Sequence, residues 1–88
     1  MTVDKTIKLD VNGSELTFNM NLAAYNRYLN EVQPTNKVGP AQNLCMRTVA
    51  PESKETLQEL LQQPGMGVMI MASLIEEYMP DIKITVGK

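Results

Sequence analysis

The sequence predicts an α+β fold. An N-terminal β-hairpin at about 4–20 is joined by a C-terminal strand at about 81–86 into a small antiparallel sheet, and about four helices, 22–32, 40–50, 51–63 and 65–79, pack on one face. Three observations carry this expectation. Asn12-Gly13, a dipeptide that supplies two positive φ angles, sits between two alternating apolar/polar runs. The stretch GMGVMIMASLIEEYM, bounded by Pro64 and Pro80, has the length and apolar weight of a core helix. Ile82, Ile84 and Val86 alternate with Lys83 and Thr85 near the end of the chain.

A two-residue loop at Asn12-Gly13 pairs Val11 with Ser14, Leu9 with Leu16 and Ile7 with Phe18. All the large apolar residues then fall on one face, and Thr6, Lys8, Asp10, Glu15, Thr17 and Asn19 fall on the other. Asn21 is a good N-cap for the first helix, in which Leu22, Tyr25, Leu29 and Val32 recur at helical spacing beside Tyr28. Gln33 to Gly39 is rich in turn formers, and Pro40 suits the first turn of a second helix whose face gathers Ala41, Leu44, Cys45, Thr48 and Val49. Pro51 forces a restart. The third helix carries a narrow stripe of Leu57, Leu60 and Leu61, with Glu52 and Glu55 favouring its N-terminal dipole. In the last helix Val68, Met71, Ala72, Leu74, Ile75, Tyr78 and Met79 share a broad face opposite Ser73, Glu76 and Glu77. Met66 and Met69 fall on the polar side, so the first half of this helix is apolar nearly all round. The closing strand needs a partner, and the hairpin is the only sheet on offer.

Eighty-eight residues make a single domain, 1–88, with a small core. Eight cations scattered among ten acids, a net charge of −2 and one Phe with three Tyr argue against a nucleic-acid surface. The apolar run around Val68 to Ile75 is far shorter than the ~20 residues that span a bilayer, and MTVDKTIKLD lacks the apolar stretch of a signal peptide. The expected compartment is therefore the cytoplasm, which a lone Cys fits.

Chemistry is sparse, and the reading is that the chain is not an enzyme. With no His, the commonest general base and the usual zinc ligand are missing. Cys45 falls on an apolar stripe and reads as a small buried hydrophobe. Glu76 and Glu77 project about 100° apart and make no facing carboxylate pair. Neither Asn12-Gly13 nor Gly65-x-Gly67 belongs to a phosphate-binding loop, and no cofactor or metal is expected. Seven Met remain to be explained. Met20, Met71 and Met79 fall at core positions, whereas Met46, Met66 and Met69 fall off the buried stripes, where thioethers suit a surface that adapts to a partner. The competing reading has the other helices wrap the last one and bury these as well.

In YNRYLNEVQPTNKVGPAQNLCMRTV (Tyr25 to Val49), LLQQPG (Leu60 to Gly65) and IEEYMPDIKITV (Ile75 to Val86), the chain resembles the short tail assembly chaperones of tailed bacteriophages. The likeness runs over nearly the whole chain as many weak positions rather than one signature. It implies a factor of the bacterial host cytoplasm that binds the helical tape-measure protein, keeps it soluble, and leaves before or as tail-tube subunits polymerise. It also implies the tail-tube protein and a frameshift-extended form of itself as further partners, with this chain the unextended form. Nucleic acid and membrane are not expected partners, and the pure chain is expected to be a monomer or weak homo-oligomer. A groove lined by Met and Ile would accept a client helix by its apolar face. The expected client patch is Met66, Met69 and Ile70, with Met46 nearby and Asn36 and Lys37 at its border. The alternative is a small virion structural subunit, in the tail or connector, that uses the patch as a permanent self-interface.

Overall fold

The computed structural model describes residues 4–79 together with 86 and 87. Its elements are β1 (Lys5–Val11), β2 (Ser14–Met20), α1 (Leu22–Glu31), α2 (Val38–Thr48), a 3₁₀ turn (Pro51–Ser53), α3 (Lys54–Leu60) and α4 (Met66–Tyr78). The fold is α+β, with a two-stranded antiparallel sheet and four helices among the described residues. The strand expected at about 81–86 lies, Val86 apart, outside the described residues.

The hairpin has the register that its turn dictates: Val11 opposite Ser14, Leu9 opposite Leu16 and Ile7 opposite Phe18. Asn12 at φ 54° and Gly13 at φ 86° supply the two left-handed residues. Asp10 Oδ1 accepts a hydrogen bond from Gly13 N at 2.9 Å and tightens the turn. Ile7, Leu16, Phe18 and Met20 are buried on one face, whereas Thr6, Lys8, Asp10, Glu15 and Asn19 are exposed on the other.

The outer margin of β2 is not free. Ala50 N donates to Thr17 O at 2.8 Å, Thr17 N donates to Ser53 Oγ at 3.0 Å, and Val49 bridges Phe18. The segment between α2 and α3 therefore acts as a short clasp on the sheet. This docking explains why the third expected helix begins as a 3₁₀ turn: its first residues are positioned by β2 rather than by helical hydrogen bonds alone.

One residue joins sheet to helix. Asn21 caps α1, its Oδ1 accepting from Ala24 N at 2.8 Å. The buried side of α1 differs from the expected stripe: Ala24 and Tyr28 are buried and Tyr25 is half-buried, while Leu22 and Leu29 remain 39% and 48% exposed. Tyr25 instead meets Tyr78 at the end of α4, ring centroids 5.8 Å apart, and that contact helps set the rotation of the helix. α2 begins two residues earlier than expected, with Pro40 in its first turn, and buries Ala41, Leu44, Cys45 and Thr48 as read from sequence. Thr48 Oγ1 is satisfied by Leu44 O at 2.8 Å.

α4 packs against α2 and β1. Its buried stripe is Met66, Gly67, Ile70, Leu74 and Tyr78, with Val68, Met71 and Ile75 half-buried. Three assignments from the sequence are corrected here, one of them Ala72, which was placed on the core face and is exposed. Met66 belongs to the core, 8% exposed, and Met79, placed in the core, is 52% exposed. Close approach to α2 is made at Gly67, where an added Cβ would stand 2.8 Å from Gln42 Cγ and 3.4 Å from Leu61 Cδ2. Leu16, Phe18, Met20, Leu44, Cys45, Leu57 and Leu74, drawn from the sheet and from α2, α3 and α4, are the largest fully buried side chains.

Candidate functional site

Where α4 begins, it runs past the turn end of the hairpin. Leu9, Asp10, Val11 and Asn12 on one side and Met66, Met69, Ile70 and Ser73 on the other line an open groove of about 240 Å³. Each wall follows from local sequence. Gly65, at φ 75°, turns the chain into α4, so Met66, Met69, Ile70 and Ser73, spaced three and four apart, come to lie along the hairpin. Leu9 and Val11 sit on the apolar face of β1 near its end, where they are only half-buried.

The groove brings together three of the six residues expected at the client patch. Met69 is 65% exposed and free to be covered, whereas Met66 and Ile70, at 8% and 3%, form the floor and offer little area of their own. Met46, on α2, is half-buried against the core and does not line the groove. Asn36 and Lys37 also lie outside it, in the exposed loop before α2, where Asn36 and Gln33 exchange backbone hydrogen bonds of 3.0 and 3.1 Å. Leu9 and Val11 were missed as wall residues because the hairpin pattern assigns them simply to the packed face. Their place beside the turn, beyond the reach of the strand's central cover, is the signal that distinguishes them.

Among its described lining residues the groove holds no His or Cys. Its one carboxylate, Asp10, already accepts from the turn backbone. Cys45 is fully buried, and burial pushes its thiol up to about 12, so it is neither accessible nor nucleophilic at neutral pH. Burial also raises Tyr28, with Tyr25 adding to the shift, and raises Tyr78, with Asp4 adding there. Among the described residues no group of His, Cys, Asp and Glu is arranged to hold a metal ion, and no helix is long and apolar enough to cross a membrane. What the groove offers is an apolar wall edged by Asp10, Asn12 and Ser73, with the unbranched thioether of Met69 at its lip.

The family model described as phage tail assembly chaperone matches residues 7–88. A curated relative, described as an uncharacterized 11.3 kDa protein in the lys 3′ region of Haemophilus phage HP1 (strain HP1c1), is 36% identical over 81 residues, covering 92% of this chain and 79% of its own. No solved structure matches the chain. The match from the first strand onward agrees with the resemblance carried by Tyr25 to Val49 and Ile75 to Val86, and the chain belongs to the phage tail assembly chaperone family.

Proposed function

We propose that the chain serves tail assembly by docking a helical segment of the tape-measure protein in the groove between the hairpin turn and α4, keeping that client soluble in the host cytoplasm. The observation that carries this reading is Met69: a large thioether, 65% exposed, beside half-buried Leu9 and Val11 and over a floor of Met66 and Ile70. An amphipathic client helix would set its apolar residues against this wall, and unbranched Met accommodates successive client segments of different shape. Met46, Asn36 and Lys37 would take part only where a long client continues past the groove across α2.

The test is retention of a co-expressed tape-measure protein by tagged chain, wild type against Met69→Ser. Truncating one central apolar anchor typically costs 1–2 kcal/mol, so retention should fall roughly tenfold. The thermal midpoint should barely move, because surface substitutions change stability by about 0.5 kcal/mol or less. Ile70→Ala separates site from scaffold: at 3% exposure it should cost about 2–5 kcal/mol of stability. Unchanged client retention by Met69→Ser would remove the groove as the docking site. Rings or tubes formed by the pure chain at high concentration would favour a virion subunit instead.

A further inference from the structure

The two margins of the hairpin are treated differently. Thr17 N and O are bonded to Ser53 Oγ and Ala50 N, so both point away from β1, and Lys8 opposite Thr17 is a non-hydrogen-bonded pair of the ladder. By alternation the backbone groups of Thr6, Lys8 and Asp10 point outward from the other margin. Among the described residues no hydrogen bond reaches them, and their side chains are exposed. An unpaired strand edge is a template for another strand.

We propose that this edge of β1 pairs with the same edge of a second copy of the chain, antiparallel about a two-fold axis through Leu9. The charges select both the occupant and the register. With the axis at Leu9, each Lys8 lies opposite Asp10 of the second copy, and Ile7 lies opposite Val11 on the apolar face. Moving the axis to Lys8 sets the two Lys8 ammonium groups against each other, and moving it to Ile7 sets Asp4 against Asp10. Lys8 forms no ion pair among the described residues, and Asp10 uses only Oδ1 in its turn. The pairing is closed, producing a dimer with a four-stranded sheet rather than a filament. It concerns the pure protein and does not rest on the client reading, although Leu9, Asp10 and Val11 belong to both the edge and the groove wall.

Cross-linking tests it. In a Cys45→Ala background, Leu9→Cys places two thiols on the axis, where non-hydrogen-bonded neighbours have Cα atoms about 4.5 Å apart, within disulfide range. Mild oxidation should yield a covalent dimer. Val11→Cys should stay monomeric under the same oxidation, because the two copies of that residue lie four positions apart, about 13 Å. A second measurement uses sedimentation equilibrium. Lys8→Asp and Asp10→Lys should each weaken self-association roughly tenfold, and an equimolar mixture of the two variants should restore it, since both cross-copy pairs are then complementary. Restoration by mixing distinguishes pairing from damage to the Asp10 turn. Equal cross-linking of Leu9→Cys and Val11→Cys, or a monomer at the highest attainable concentration, would overturn the proposal.

Discussion

Gly67 is the point at which the packing of α4 on α2 is most open to measurement. Replacing it by Ala sets two terms against each other. Alanine is favoured over glycine by about 1 kcal/mol in a helix interior, and by less at Gly67, the second residue of α4. Against that, the new Cβ would stand 2.8 Å from Gln42 Cγ, a contact that real structures essentially never show, while its 3.4 Å approach to Leu61 Cδ2 is tolerable. Gln42 Cγ lies near the root of its side chain, so relief requires a rotamer change at half-buried Gln42 or separation of the helices. Overpacking of this kind costs typically 1–3 kcal/mol. Gly67→Ala should therefore be neutral to destabilised by about 2 kcal/mol, despite the gain in propensity. Gln42→Ala removes the clashing atom, so in that background the same change should become stabilising, with a coupling of about 1–2 kcal/mol. The assay is urea denaturation of the four proteins of the cycle, compared at their midpoints with unchanged slopes. A Gly67→Ala protein that is more stable than wild type, with no coupling to Gln42, would refute the close approach of α2 and α4.

Two further expectations test other parts of the structure. Ser53→Ala leaves the half-buried Thr17 N–H without its acceptor and should cost about 1 kcal/mol, read as a fall in thermal midpoint of some 4–8 °C, whereas Ser53→Thr should retain most of the stability. Cys45 should resist an aromatic disulfide reagent until the chain unfolds. Its thiol keeps its proton when folded to about pH 12, whereas the unfolded chain releases it near the ordinary value of 9.0. The folded state then binds more protons, so its stability should fall as pH rises from about 9 towards 12, and Cys45→Ala should flatten that part of the profile. Rapid native-state labelling would contradict the burial.

The hairpin was legible because three independent constraints agree on it: a two-residue turn, a period of two, and a polar face that contains no large apolar residue. The rotation of the helices was less so. In α1 the sequence pattern weights Leu22 and Leu29, but the neighbours decide: Tyr25 meets Tyr78 in a tilted ring contact, and Ala24 and Tyr28 are the buried residues. In the first half of α4 nearly every side is apolar, so periodicity carries no phase there. Only the approach of β1 and α2 from two directions sinks Met66 and Ile70 and leaves Met69 out. Half of the groove was therefore readable, as apolar residues in excess of one buried stripe. The hairpin wall was not, since a strand's pattern says which face is packed but not where along its length the cover ends.

The clasp of 49–53 on β2 also carries a consequence for synthesis. A nascent chain that has emerged only as far as Met46 already holds the whole ribbon and its first helix, yet it lacks Ala50 and Ser53, which seal one border of that ribbon. Until they arrive, both borders are bare, and premature sticking between neighbouring chains on one messenger is most favourable in this interval. A pause in translation taken before Ser53 has left the ribosome would lengthen the hazard, and one taken after it has emerged would not.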